Sequence, residues 1–272
     1  MTPVILRSTN RRQRITVQVE GIEPEQYQQV SDQLGVGLNR PRKYLRVSNA
    51  MQLALRLCPT ANPADLWVHL IYHQFRNRYR RNDQSWKRVS GQALEHVIVS
   101  VYDQRLQSYR INLRTGTRAD ARALGLEEQG HGLSTMDLIL EGSDDGNRTV
   151  FGVLHIKASI AERFRDDAPA SAYLIRQGYW SSAVTMDDKM FPPPHGDGIV
   201  RGEFQGQGDK RAYIEVSGWF SGCYSFNLRT PESTGPTQSG SRIYALSFSR
   251  PQPDVLVRDI VQAWDNFRQR RH

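Results

Sequence analysis

The sequence predicts an α/β fold, a mixed central β-sheet flanked by helices, with a mostly helical N-terminal part in front of it. Three observations carry this expectation. Two strand-like runs, 136–142 and 149–159, flank Ser143, Asp144, Asp145, Gly146 and Asn147, a composition that favours a tight hairpin turn. Helical patterns stand before and after that hairpin, as layers of helix on sheet require. The charge also shifts along the chain. Residues 1–88 hold fifteen Lys and Arg against six acids, a balance of +9, so the remainder of a chain of net charge +8 sums to −1. We expect a basic, mostly helical part over residues 1–82 and a second domain over 83–272.

Each element has its own local signal. Residues 14–19 (RITVQV) alternate as a strand does. Glu23-Pro24 opens a short helix that stops at Gly35. Arg40 to Lys43 form a basic turn, and Ser48 reads as the N-cap of a helix running to Cys58. Asn62-Pro63 pairs a capping residue with a first-turn proline. The helix it starts is apolar at 66, 67, 70, 71 and 75 and ends in Arg76, Arg78, Arg80 and Arg81, which suit a helix C-terminus or phosphates. After Gly91 a buried helix carries one early acid, Glu95, and 107–113 reads as a strand. Beyond the hairpin, Ser159 to Asp166 suits a helix, and Asp167-Ala-Pro169 caps another that ends at Gly178. Residues 186–198 are an irregular loop, 211–228 and 242–249 are strand-like, 230–241 is a flexible loop, and a last helix spans about 254–270.

Bulk properties narrow the function classes. With 272 residues, 24% charged and 38% hydrophobic, the chain can bury a real core. It has no apolar run of the roughly 18–20 residues a membrane helix needs. Arg7, Arg11, Arg12 and Arg14 interrupt any signal-peptide core. Cys58 and Cys223 are too few and too far apart for a disulfide framework or a zinc site, so a reducing cytoplasm is the expectation. The basic balance points to a polyanionic partner.

The chemistry concentrates on the hairpin. Hydrolysis of a phosphodiester needs an attacking water and relief of charge at the phosphate. A carboxylate-held Mg2+ supplies both, and a nearby lysine positions or deprotonates the water. Mg2+ takes oxygen ligands and keeps several waters, so few protein carboxylates suffice. Asp137 opens one strand and Lys157 closes its partner, so the two can meet across the ladder; His155 and Lys157 share a face by alternation. Glu95 lies among Ala93, Leu94, Val97 and Ile98, where a free carboxylate is costly. Taken singly, each of these residues also suits a plain structural role. Their order along the chain is the more specific signal.

That order, Glu95, Asp137 and then Lys157, resembles the core of the PD-(D/E)XK superfamily. The stretch KASIAERFRDDAPAS (157–171) is similar to the signature of type II restriction endonucleases that read a CCGG core; GYWSSAVTMDDK (178–189) and GCYSFNLRT (222–230) fit the same family. The resemblance covers about 90–250. It implies a restriction-endonuclease-like fold and Mg2+-dependent double-strand cutting of DNA at a palindromic site, with A/CCGGT and a 5′ overhang as one form. It also implies a homodimer at least when bound to DNA, in a prokaryotic cytoplasm and off the membrane. Carried over residue by residue, Asp137 and Glu95 would hold the metal, with Lys157 completing the catalytic set. Glu162 and Arg163 would read the bases, since arginine forks onto guanine and glutamate accepts from cytosine; Arg165 would reach the second guanine. His155 stands where an acid is usual, and Ala170 and Ser171 stand where the CCGG branch has its substitute acid. His155, Ser159 and Asp167 are therefore auxiliary candidates. Two alternatives stay open at this point: a repair or recombination nuclease of the same superfamily, and a DNA-binding protein that does not cut.

Overall fold

The computed structural model describes residues 4–10, 13–35, 42–79, 83–131, 136–160, 163–191, 195–206, 208–248 and 254–271. The chain starts with an antiparallel hairpin, β1 (Val4–Asn10) and β2 (Gln13–Val19), of which the sequence pattern had marked only the second strand. Four helical elements follow: α1 (Pro24–Gly35), α2 (Lys43–Leu57), α3 (Pro63–Asp65), which continues through a π-helical stretch at Leu66–Tyr72, and α4 (His73–Tyr79). The boundary expected near residue 82 lies outside the described residues, as do Arg40 and Pro41.

Ser48 is not an N-cap. α2 begins five residues earlier, behind Arg42 in the left-handed region (φ 71), and Ser48 is buried inside it, accepting from Gln52 Nε2 at 3.0 Å. Gln52 one turn on gives the hydroxyl a partner within the helix, so the capping signal is not used. Asn62, by contrast, caps as predicted and does more. Its Oδ1 accepts from the N–H of Ala64 (3.2 Å) and of Leu228 (3.1 Å), and its Nδ2 donates to Asn227 (2.9 Å). One turn on, Asp65 grips Arg229 through two hydrogen bonds of 2.8 Å. The start of this helix is thereby bolted to a loop more than 160 residues away in sequence.

The long helix α5 (Asp83–Gln107) leads into the sheet, which contains β3 (Ile111–Thr115), then, after the short α6 (Arg118–Ala123), β4 (Leu138–Asp144) and β5 (Asn147–Lys157). α7 (Arg163–Arg176), β6 (Trp180–Thr185), α8 (Asp209–Glu215), β7 (Cys223–Ser225), β8 (Ile243–Ala245) and α9 (Val255–Gln269) complete the order. The six strands run β3-β4-β5-β6-β7-β8 across the sheet, antiparallel from β3 to β5 and parallel from β5 to β8. The sheet is therefore mixed and helix-flanked, as expected. The hairpin turn uses Asp145 (φ 46) and Gly146 (φ 84), both in the left-handed region that a tight two-residue turn demands.

Two sequence assignments change. Of the run 211–228 read as strand, the first residues belong to helix α8 (Asp209–Glu215) and only Cys223–Ser225 form a strand; over so short a run the pattern Ala212-Tyr213-Ile214 suits either period. The two helices expected over 159–178 are one, α7, with Pro169 inside it. Proline there removes one helix hydrogen bond, but the same turns bury Ala168, Ala170 and Leu174.

β5 is buried on both faces from Phe151 to Ile156. Leu154 and Ile156 join the core that contains Leu94, Val97 and Ile98 of α5 and Trp264 of α9, and this same cluster extends without a break to Val19 and the N-terminal helices. Val153 packs instead with Ala170 and Leu174 of α7. α5 and α7 thus cover opposite faces of one strand. No helix among the described residues is long and apolar enough to cross a membrane.

Two measurements check this packing. A Cβ on Gly142 would overlap the Trp264 ring, so Gly142→Ala should lower stability by about 1–3 kcal/mol in denaturant titration; an unchanged midpoint would refute the close approach. His69 is buried, and its pKa is lowered to about 4 by burial, with Arg229 and His73 adding to the fall and Asp65 opposing it. Between that value and the ordinary 6.5 the unfolded chain holds more protons. This residue's contribution is thus complete above about pH 6.5 and is lost towards pH 4, by up to about 3 kcal/mol. Asp188, raised to about 7 by burial, titrates with the opposite sign in that window. The test is therefore the difference between wild type and His69→Gln, which should shrink as pH falls.

Candidate active site

The site forms where β4 begins and β5 ends. Leu138 pairs with Leu154, so Asp137 stands opposite the last residues of β5. Its Oδ2 accepts from the backbone N–H of Ile156 at 2.6 Å and from Lys157 Nζ at 2.9 Å. Asp137 is anchored from its other side too, because its carbonyl accepts from Gly116 N–H at 2.9 Å. The predicted meeting of Asp137 and Lys157 across the hairpin is present.

Lys157 has a second carboxylate. Asp167 Oδ2 lies 2.7 Å from its Nζ, and the three side chains are only 11%, 16% and 4% exposed for Lys157, Asp137 and Asp167. Read as a helix cap, Asp167 is in fact in the second turn of α7, on the face that meets β5. The misreading came from Pro169, which looked like the start of a helix. Asp167 and Ser171 are four residues apart and share a face. No acid stands at 170 or 171; the acid on that face, Asp167, lies one turn earlier, ten residues after Lys157. Ala170 and Ser171 are both fully buried.

His155 is buried on the same side. Its Nε2 bonds the Ser181 hydroxyl at 2.9 Å, Ser181 bonds Ser171 at 2.7 Å, and Nδ1 lies 3.8 Å from Asp167 Oδ2. The ring meets Phe220 edge-on, centroids 5.4 Å apart. His155 is walled off from solvent and buttresses Asp167. Ser181 was not singled out from the sequence, and Ser171 only as a position where an acid was expected, since small buried serines carry no periodic signal.

Glu95 approaches from the other face of the sheet on α5. Its carboxyl is pushed up to about 7, mainly by burial and further by the Asp137 charge, with Lys157 pulling the other way. Its carboxyl thus senses the charges of both residues from the α5 side. Burial also pulls down the Lys157 ammonium, but Asp137 and Asp167 outweigh it and hold its pKa above the ordinary value. Lys157 is a cation at neutral pH, suited to donating hydrogen bonds and not to taking a proton.

The base-reading candidates follow directly. Ser159, half-buried, donates to Glu203 Oε1 at 2.8 Å. Glu162 lies outside the described residues, and Arg163 is described only as the backbone that opens α7. Arg165 is exposed in the first turn of that helix. β5 to β8 are parallel, so the loops after them open along one edge, which is where open α/β sheets bind their ligands.

The chain is similar to known proteins in both sequence and structure. The family described as BsaWI restriction endonuclease type 2 matches residues 117–252, a span that holds Asp137, Lys157 and Asp167 and begins after Glu95. The type II restriction enzyme AgeI of Thalassovita gelatinovora is 38% identical over 250 residues, covering 86% of this chain and 90% of that protein. The crystal structure of the specific restriction endonuclease AgeI–DNA complex superposes with a TM-score of 0.89 at 35% identity, over 96% of this chain and 99% of that one.

The twin carboxylates predict a measurable property of Lys157. Removing the Asp167 charge by Asp167→Asn should lower the Lys157 pKa, read as faster acylation of its amine at fixed pH. A remote control, Asp209→Asn, should leave the rate alone. Equal rates in all three proteins would mean that Asp167 does not hold the ammonium.

Proposed function

The chain belongs to the BsaWI family of type II restriction endonucleases, and from that premise we propose that it cuts both strands of DNA at a palindromic CCGG-core site, with Mg2+ as its cofactor. The observation that carries this reading is the charged Lys157 pinned between Asp137 and Asp167 at the end of β5, with KASIAERFR leading straight from it into α7. Catalytic and reading groups then share one short run of chain.

The donor set suits Mg2+. Among the described residues no three His, Cys, Asp or Glu side chains converge as a ready metal cage, and Mg2+ does not require one, since it keeps waters and takes phosphate oxygens. Asp137 and Glu95 are the carboxylates we assign to it. Their like charges repel, and Glu95 is held high in part for that reason; a cation held by both would relieve that repulsion. When bound, Mg2+ would offset phosphate charge and make a water more acidic. Asp167 is assigned differently, because it is almost wholly buried and already engaged with Lys157. It fixes the ammonium so that Nζ can donate to the attacking water or to a phosphate oxygen.

Glu162 and Arg163 are assigned to cytosine N4 and to guanine O6 and N7, with Arg165 on the second guanine. A palindrome is read identically on both strands, so two copies related by a two-fold axis are required on the DNA. A/CCGGT with a 5′ overhang is the target to test first.

Plasmid digestion with Mg2+, followed by run-off sequencing of the ends, decides the reading. Discrete fragments ending within CCGG are expected, and chelation of the metal should abolish them. Asp137→Ala and Lys157→Ala should each lower the cleavage rate by about 10²–10⁴-fold. Glu162→Ala should relax selection within the core, by about 1–3 kcal/mol per lost base contact. A featureless smear, or cutting that survives chelation, would overturn the proposal.

A further inference from the structure

Behind the segment that carries Lys157 and the base readers lies a second buried polar cluster. Its centre is Glu203, whose side chain is 6% exposed. Glu203 Oε1 accepts from Ser159 Oγ at 2.8 Å, and the other carboxylate oxygen is paired with Lys210 in the first turn of α8. The Glu203 backbone N–H donates to Asp187 Oδ1 at 2.6 Å, and Asp187 Oδ2 accepts from Thr230 Oγ1 at 2.7 Å. Gly202, at φ +79, makes this fit possible, since a Cβ there would overlap the Asp187 carboxylate. The backbone reinforces the contact, with the N–H groups of Met186 and Asp188 donating to the carbonyls of Lys157 and Ala158 at 3.1 and 3.2 Å.

The loops that follow β5, β6 and β7 are therefore cross-tied at one edge of the sheet. Ser159 is the point at which the first is held. It lies two residues after Lys157 and three before Glu162. A buried carboxylate is expensive unless it is paired, so a Glu–Lys pair kept under this loop is a costly way merely to fill space. What such a pair does supply is a fixed direction for whatever it holds.

We propose that Glu203 is a positioning residue for sequence discrimination: through Ser159 it sets the angle between the catalytic lysine and the base-reading start of α7. Neither Glu203 nor Lys210 touches a base in this scheme. The inference rests on the reading of site-specific cleavage given above. Loosening the tether lets Glu162 and Arg163 settle on imperfect sites while Lys157 still meets the phosphate, so the ratio of rates between correct and incorrect sites changes, and not only their common scale.

The test is single-turnover cleavage of a CCGG-core duplex and of duplexes with one base pair of that core changed, by wild type, Ser159→Ala, Glu203→Ala and the double variant. Each single variant should lower the correct-to-incorrect ratio about tenfold, and the double variant should fall no further, because both break the same Ser159–Glu203 contact. Glu203→Gln keeps an acceptor for Ser159 and should restore a ratio between those of Glu203→Ala and wild type. A ratio within twofold of wild type in Ser159→Ala, even with all rates reduced, would overturn the proposal, as would effects that add in the double variant. Should Glu203→Ala fail to fold, the Ser159→Ala ratio decides alone. Equal cutting of every duplex by wild type would instead overturn the reading of site-specific cleavage beneath it.

Discussion

The structure turns on one ammonium group. Lys157 closes the central strand of the sheet, and its nitrogen sits between Asp137 at 2.9 Å and Asp167 at 2.7 Å. Burial of a lone lysine would favour its neutral form, and a neutral amine here would leave two carboxylates facing each other. The three charges are stable only together. Asp137 is fixed by the hairpin register, Asp167 by the seating of α7, and Lys157 by a strand buried on both faces. Each larger element is thus required to be where it is by a contact of atomic size.

How much of this was legible in the sequence follows from the kind of signal each part leaves. The β4–β5 hairpin was plain, because apolar strand-like runs and an Asp-Asp-Gly-Asn turn are both local, and the approach of Asp137 to Lys157 is a direct consequence of pairing. Glu95 stood out because an acid in an apolar helical stretch is unusual. Asp167 was misplaced by Pro169, whose local preference for a helix start was overruled by the packing of α7 on β5. Ser48 was misread for a different reason: Gln52, one turn on in the same helix, gives its hydroxyl a partner without a cap. The Ser159–Glu203–Lys210 and Asp187–Thr230 contacts were illegible, since they join residues of different loops with no periodicity in common. That chemistry becomes visible only when the parallel strands bring their ends to one edge.

The N-terminal part also acquires a meaning that its charge alone did not supply. Its buried residues belong to the same core as the sheet and α9. Asn62 and Asp65 hold Asn227 and Arg229 on the loop after β7, and Asn227 also donates to the carbonyl of Asp187 at 3.0 Å. Residues early in the chain therefore reach, through one asparagine, the polar cluster that holds Ser159 after β5.

The layering ties the assembly of the acids to the completion of the fold. Glu95 reaches the strand end from one side of the sheet and Asp167 from the other, on helices that pack against opposite faces of β5. A nascent chain with either helix undocked has only part of its carboxylates in place, however well its hairpin has formed. The cluster is complete only after both layers have closed on the strand.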